Sequence, residues 1–535
     1  MRDSVVENLG FIGVSQDISA HTLPANIASN ALNVRFIDGA IVNIKGIAPL
    51  KVLPSFTPFW VNHTQTGVTA GWLFADETDV YFYFNLTFNK ITRASGIYTT
   101  ATEVKYVAEI ANGIVVLTNT FDIPQVWTGE TPETLLVDLP NWPATYRAKV
   151  IRSFKNSFFA LNLTKGSVHY PYTVLVSHPA EPGAVPVSWD ITDPTLETIE
   201  FSLADTAGGE IVNALPMGEE LLIYKEEVIW GIRFVGGARL YDRTQRNFAH
   251  GCVARDTLVQ VPVNRNSHFF LARDRICLFN GVDIAYPVEN KLEQWFFSNI
   301  NLQAISLCFS VVNTREKEIQ LWFPLNENTL CTHALVWNYK DNTTTIRSSA
   351  GISFASSGFA ANIDDYTGAP SNGVPYAEGP VFHEEGDVGY FGGNLQKVFI
   401  VVETAPALVN KVFVQDFGLT SYNENSNHFI ERTVLPLDRD KTGKLFLNLR
   451  TRKLITGVYL HLAYGQLKVK LGTQENLNDA ITWSEELIFS ATATKLLTFS
   501  RPVAGRFISI HLSSVESINF KITGISLEVA TLGEF

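Results

Sequence analysis

Cysteine is scarce. The chain has four in 535 residues, at 252, 277, 308 and 331, and no CxxC pair. This spacing argues against a disulfide framework and a thiolate zinc site. Cys277 and Cys331 fall inside apolar runs, so the cysteines read as small buried hydrophobes of a chain made in a reducing cytosol. No window approaches ~20 uninterrupted apolar residues, and no membrane-spanning helix is expected. The opening segment, Met1 to Asn8, has no basic start followed by an apolar core, so it is not read as a secretory signal. Helical periodicity never persists beyond about two turns. Positive charge is in deficit, with 41 Lys and Arg against 53 Asp and Glu and a net charge of -12, which argues against a protein that grips nucleic acid by its phosphates.

Signatures of catalysis are missing as well. There is no HExxH or HxH, no GxSxG elbow, and neither of the glycine-rich phosphate loops GxxxxGK[ST] and GxGxxG. The eleven histidines are dispersed. Asp190, Asp193, Glu219, Glu220, Glu226 and Glu227 could supply a carboxylate pair, but acidic residues in turns commonly serve the turn. The Ser-x-Asp-x-Gly-x-Thr-Trp box of sialidase propellers has no copy. The chain therefore reads as a non-enzyme, with no catalytic, cofactor-binding or metal-binding residue singled out and no cofactor expected.

What the chain does have is β signal. Aromatic residues make up 12% and apolar residues 46%, enough for large sheet-packed cores. One device recurs six times: apolar strand, polar turn, second strand. The copies are Val80–Phe84 with Lys90–Thr92, Ile114–Leu117 with Gln125–Trp127, Phe158–Leu161 with Tyr172–Val176, Leu221–Tyr224 with Val228–Ile232, Phe269–Leu271 with Ile276–Phe279, and Ile319–Phe323 with Ala334–Trp337. Their spacing is near the ~40–50 residues of a propeller blade.

The expected fold is therefore all-β. Residues 1–55 form an N-terminal β arm, with Leu32–Phe36 entering a hairpin at Asp38-Gly39. Residues 56–350 form a β-propeller-like domain of about six blades. Residues 351–395, crowded with Gly, Ser, Ala, Pro and Asn, read as a linker. Residues 396–535, which alternate through Val458–Leu462, Leu467–Leu471 and Phe507–Leu512, read as a C-terminal β-sandwich. Two basic groups stand out. Arg233, Arg239, Arg243, Arg246 and Arg255 share one segment and suit ion pairs or inter-subunit contacts; Lys441, Lys444, Arg450, Arg452 and Lys453 read as a charged surface.

An ordered series of segments resembles the tail nozzle, or packaged-DNA stabilisation, proteins of short-tailed bacteriophages. It begins with Gly13–Asp17, Leu23-Pro24-Ala25, Asn30–Arg35 and Lys45-Gly46. Leu175–Ser177, Val187–Asp190 and Ala207–Val212 follow, then the hairpin Leu221–Glu226 with Ile229-Trp230. Next come Ala249–Ala254, His268–Ala272 to Phe279–Gly281, and Ala334–Tyr339, and near the end Arg501, Gly505-Arg506 and Phe520–Gly524, which look like a terminal strand pair. The resemblance implies a structural virion protein of the viral tail. Such a protein forms a homohexameric ring below the portal, contacts head-to-tail adaptor proteins and tail fibres or spikes, and is assembled in the host cytoplasm. The ring retains packaged double-stranded DNA and passes it through the lumen during ejection without sequence-specific binding. A receptor- or glycan-binding tail protein is the alternative; it would need an exposed aromatic platform on one blade face.

Overall fold

The computed structural model describes residues 2–50, 54–94, 96–100, 105–111, 113–205, 208–237, 240–247, 249–262, 266–360, 395–402, 411–418, 420–421, 424–425, 427–493, 495–515 and 518–534. Strands dominate; the one α-helix among these residues is Glu293–Asn299. Five consecutive four-stranded antiparallel sheets form blades 1 to 5. They are Trp60–Lys90, Val107–Asp138, Tyr146–Ser202, Ile211–Asn247 and Val259–Ala285. Blade 6 comprises Phe309–Asn313, Glu318–Phe323, Cys331–Asn338 and the first half of Thr343–Ala360. A seventh four-stranded sheet, the second half of Thr343–Ala360 with Leu395–Val402, Lys411–Gln415 and Ile47–Pro49, packs Phe413 on blade 6 and Val401, Val412 and Val414 on blade 1. The propeller-like all-β fold thus has seven blades, one more than the six repeats predict.

First strands of successive blades lie against one another, as Trp60–Gln65 does with Val107–Ala111 and Val107–Ala111 with Tyr146–Phe154. They form the inner ring. The middle strands are buried on both faces because blades stack face to face. In blade 2, Val115 and Leu117 pack with Trp60, Leu73 and Phe82 of blade 1, while Ile114 and Val116 pack with Ile151, Phe158 and Leu175 of blade 3. Blade 4 repeats this, with Leu221 and Ile223 toward blade 3 and Leu222 and Tyr224 toward blade 5.

Residues 351–395 do not begin with a linker. The strand Thr343–Ala360 runs through their first ten positions, and residues 361–394 lie outside the described set. The loop-like composition has a packing cause. Ser356 accepts from the His63 backbone N–H at 3.4 Å and donates to Asn62 Oδ1 at 3.3 Å, and a Cβ on Gly358 would sit 2.2 Å from the His63 side chain. Small residues let this strand lie across blade 1 and close the ring. Leu395–Val402 and Lys411–Gln415 are the middle strands of blade 7 and do not open the sandwich, whose strands after them start at Phe429.

Two six-stranded sheets form that sandwich. One contains Val34–Ile37, Ala40–Asn43, Lys521–Glu534, Thr451–Tyr464 and Val503–Gly505, with Arg2–Glu7 on Lys521–Glu534. The other contains Asn30–Leu32, Phe429–Arg432, Phe507–Ser514, Gln466–Gln474, Thr482–Trp483 and Leu487–Ser490. The N-terminal segment is thus woven into both sheets; it is not a free arm. Asn33, at φ 56°, breaks the expected strand so that its two halves join different sheets. The hairpin at Asp38-Gly39 forms as read, both residues at positive φ. Val503–Gly505 and Lys521–Glu534 do not pair with each other; they flank Thr451–Tyr464 on opposite sides.

Two propeller histidines tie stability to pH. Burial pushes His63, packed edge-on to Trp72, down to about 4. Burial also pushes His268 down to about 4, although its ring meets the Tyr224 hydroxyl at 2.9 Å and the Pro216 carbonyl at 3.2 Å. Between pH 6.5 and 4 the unfolded chain takes up protons that the folded chain refuses, so stability falls as pH falls. Each group contributes about 1.4 kcal/mol per pH unit across that window. Urea midpoints should drop steadily from pH 6.5 to 4, and the double variant His63→Gln/His268→Gln should flatten the slope. An unchanged slope would locate the acid sensitivity elsewhere.

Candidate functional site at the propeller axis

Propellers commonly bind at their axis, where the inner strands meet. Here that position is filled by the chain's own charges. Arg152, on the first strand of blade 3, reaches Glu109 of blade 2 at 3.1 Å and the Asn213 side-chain oxygen of blade 4 at 2.9 Å. Asn213 donates to the Arg255 carbonyl at 2.8 Å, in the turn that leads into blade 5. Arg255 in turn donates to the Lys105 carbonyl at 3.2 Å, just before blade 2. Lys105 donates to the Ser306 carbonyl at 3.0 Å, before blade 6, and lies 3.5 Å from Asp256.

Blades 2 and 5 stand across the ring from each other, with blades 3 and 4 between them on one side and blades 6, 7 and 1 on the other. Direct bonds between Lys105 and the Arg255-Asp256 turn therefore cross the axis and seal it at that level. Burial alone would raise the Asp256 carboxyl, but Arg255 and Lys105 outweigh burial and hold it below the usual carboxylate range. Glu109 is further tied by the Ser153 backbone N–H at 3.0 Å and hydroxyl at 2.6 Å. Every charge here has a protein partner, which suits a rigid seal.

The carboxylates considered for chemistry are dispersed. Asp190 and Asp193 each cap a turn, accepting from Thr192 and Thr195. Glu219, Glu220 and Glu227 pair with Lys155, Arg246 and Arg273. Among the described residues no group of three His, Cys, Asp or Glu is placed to hold a metal. All four cysteines are free and buried, and burial pushes the Cys252 and Cys331 thiols up to about 12. No helix among the described residues is long and apolar enough to cross a membrane.

The two basic groups divide on folding. Arg255 joins the axial cluster, Arg246 pairs with Glu220, and Arg243 lies over the Phe201 ring at 5.0 Å; Arg239 lies outside the described residues. Lys453 is buried against Asp438 at 3.0 Å, while Arg452 meets Glu475 at the surface. Lys225, from the hairpin that carries the resemblance, is fully buried on Asp205 at 2.8 Å and over the Tyr172 ring at 4.8 Å. Sequence reasoning missed Lys105, Glu109, Arg152, Asn213 and Asp256. The available signal was a charged residue inside the apolar first strands Val107–Ala111 and Tyr146–Phe154.

A cleft of about 890 Å³ opens between blade 1 and blades 6 and 7, lined by Phe59, Asp76, Leu307, Leu330 and Phe354 among others. Thr100 and Lys105 also line it, on either side of residues outside the described set.

No protein-family model matches the chain, and no characterised protein matches it by sequence. Solved structures share parts of the architecture at low similarity. A chain of a mitotic checkpoint complex is 10% identical with a TM-score of 0.34, over 59% of this chain and 86% of that one. YCF48 from Cyanidioschyzon merolae is 8% identical with a TM-score of 0.35, over 69% of this chain and 98% of that one. A fungal alcohol oxidase of the AA5 family in complex with copper is 8% identical with a TM-score of 0.42, over 90% and 93%. Likeness of this order carries no inference about activity. The architecture rests on the strand pairing itself.

Proposed function

We propose that the chain is a structural component of a bacteriophage tail, the nozzle ring that continues the DNA channel below the portal and its adaptor. The observation that carries this reading is the ordered series of segments from Gly13 to Gly524. The sealed axis supports it. A propeller whose axis is occupied by its own ion pairs serves as a rigid body, and nozzle subunits need rigidity under internal pressure. The interweaving of both chain ends in one sandwich adds to that rigidity. A net charge of -12 favours passage of DNA over retention by the wall. No catalytic step is assigned, and the partners are other copies of the chain, the adaptor, and tail fibres or spikes.

The glycan-binding alternative looks weaker on blade 3, where exposed aromatic rings do occur. Tyr146 and Tyr170 share the Lys165 ammonium, 5.1 Å from each ring centroid, and Tyr172 carries Lys225. These faces are engaged by cations. Negative-stain imaging of the purified chain should show closed rings with a central hole. Uniform monomers or trimers would contradict the assignment.

A further inference from the structure

One end of the sandwich carries an element that neither of its sheets uses. On the long strand Lys521–Glu534, Lys521 and Ile522 pair with Val42 and Ile41, close to the point where Lys340 of blade 6 meets Asp38 at 3.1 Å. The same strand pairs Glu534 with Thr451, twelve residues beyond Ile522 and so about 40 Å further from that contact. At this far end the chain makes a hairpin of its own, Asp438-Arg439 with Leu445-Phe446, which joins neither sandwich sheet.

The hairpin is held at both ends. At its base Asp438 accepts from the Asn448 backbone N–H at 3.0 Å and pairs with buried Lys453 at 3.0 Å. At its tip Asp440 accepts from the Thr442 backbone N–H at 2.8 Å, the Thr442 hydroxyl at 2.6 Å and the Lys444 backbone N–H at 2.9 Å. Residues 439–450 hold Arg439, Lys441, Lys444 and Arg450 against the single acid Asp440, in a chain of net charge -12. That acid is turned to the backbone of the tip, and all four cations are exposed. Arg506 joins them by donating to the Leu449 carbonyl at 2.6 Å, while Glu475 at the same end is taken by Arg452. Among the cations stand Phe446, 42% exposed, and Leu449, 46% exposed.

We propose that this hairpin is a membrane-surface anchor that seats on an anionic leaflet. Lipid phosphates take the cations, and Phe446 and Leu449 enter the boundary between headgroups and acyl chains. A basic strip alone would suit any polyanion. The leaflet is favoured because it also takes the two apolar side chains. The chain's other basic group, moreover, is divided among the propeller's own contacts and offers no second grip on a duplex. The acidic propeller does not oppose the seating, since its repulsion is screened beyond about 10 Å at 0.1 M salt. The inference goes beyond the nozzle reading and does not need it.

The test floats the full-length chain with vesicles of phosphatidylcholine, alone or mixed with phosphatidylglycerol, in about 0.1 M salt. Wild type should float with the mixed vesicles only, and more weakly in about 1 M salt, where the screening length falls to about 3 Å. Each lysine near an anionic surface strengthens adsorption roughly fivefold, so Lys441→Gln/Lys444→Gln should weaken the partition about 25-fold. Phe446→Ser/Leu449→Ser should weaken it too, with the slope of binding against salt unchanged. Unchanged melting temperatures would show that the sandwich is intact. A wild type that ignores the mixed vesicles overturns the anchor, as does a glutamine variant that floats like the parent. A serine variant that floats like the parent would mean that the cations adsorb and nothing inserts, and the anchor falls as well. Binding of duplex DNA through the same lysines, with vesicles ignored, would make the hairpin a nucleic-acid contact and overturn the proposal.

Discussion

Removal of residues 1–32 should leave the chain unable to fold, and not merely unable to dock. Arg2–Glu7 pairs residue by residue with Gly524–Val529, and Asn30–Leu32 with Phe429–Glu431. Val6, Leu9, Val14, Ala28 and Ala31 are buried in the core that also holds Ile430, Leu512 and Ile525. The Ser4 hydroxyl donates to the Leu437 carbonyl at 2.8 Å inside that core. Burying such aliphatic side chains contributes about 1.5–3 kcal/mol each at full size, so losing Val6, Leu9 and Val14 alone removes about 5–9 kcal/mol, comparable to the ~5–15 kcal/mol that holds a typical domain folded. The expected result is insoluble or proteolysed protein, with the strand signal of circular dichroism lost from whatever stays soluble. A truncated chain that is soluble and melts like the parent would mean that these strands decorate the sandwich and do not build it.

Arg152→Met should be the most damaging single replacement at the propeller axis. It strips Glu109 of its only charged partner in the axial cluster and leaves Asn213 to bond the Arg255 turn alone. Removing one member of a buried ion pair costs about 3–5 kcal/mol, because the other charge remains desolvated. The double variant Arg152→Met/Glu109→Met should regain much of that loss, since an apolar pair of similar volume is often neutral. Chemical denaturation of parent, single and double variants checks this. A single variant within about 0.5 kcal/mol of the parent would show that solvent reaches the axis and that the seal is not a seal.

Five of the six hairpins legible in the sequence are the parts buried on both faces. Copies two to six coincide with the second and third strands of blades 2 to 6. Neighbouring blades cover both faces of these strands, so runs such as Ile114–Thr118 are apolar without alternation and stand out. In blade 1 the run that stood out, Val80–Phe84, is the third strand, paired with Thr87–Lys90 on its outer side. The second strand there, Ala70–Ala75, is equally buried but begins at an exposed alanine after Gly67 and carries Gly71. Outer strands left almost no trace. Val137–Asp138 and Ile284–Ala285 are two residues long; the first is exposed and the second leaves only Ile284 half-buried.

By itself the sequence determined the class of the protein: all-β, six repeats of one antiparallel unit, and an alternating sandwich after them. These are local properties, set by side-chain period, turn residues and the need to bury apolar faces. Only the tertiary structure decided what joins what. It wove strands of residues 2–43 into the sandwich, laid Ile47–Pro49 on Lys411–Gln415 in the propeller, and turned ten residues of apparent linker into the strand that closes the ring. It also brought Lys105 and Arg255, 150 positions apart, across the axis. Such contacts carry no local signature. A strand at the chain's start looks the same whether it pairs or hangs free, and a charge in an apolar strand names no partner until the chain folds.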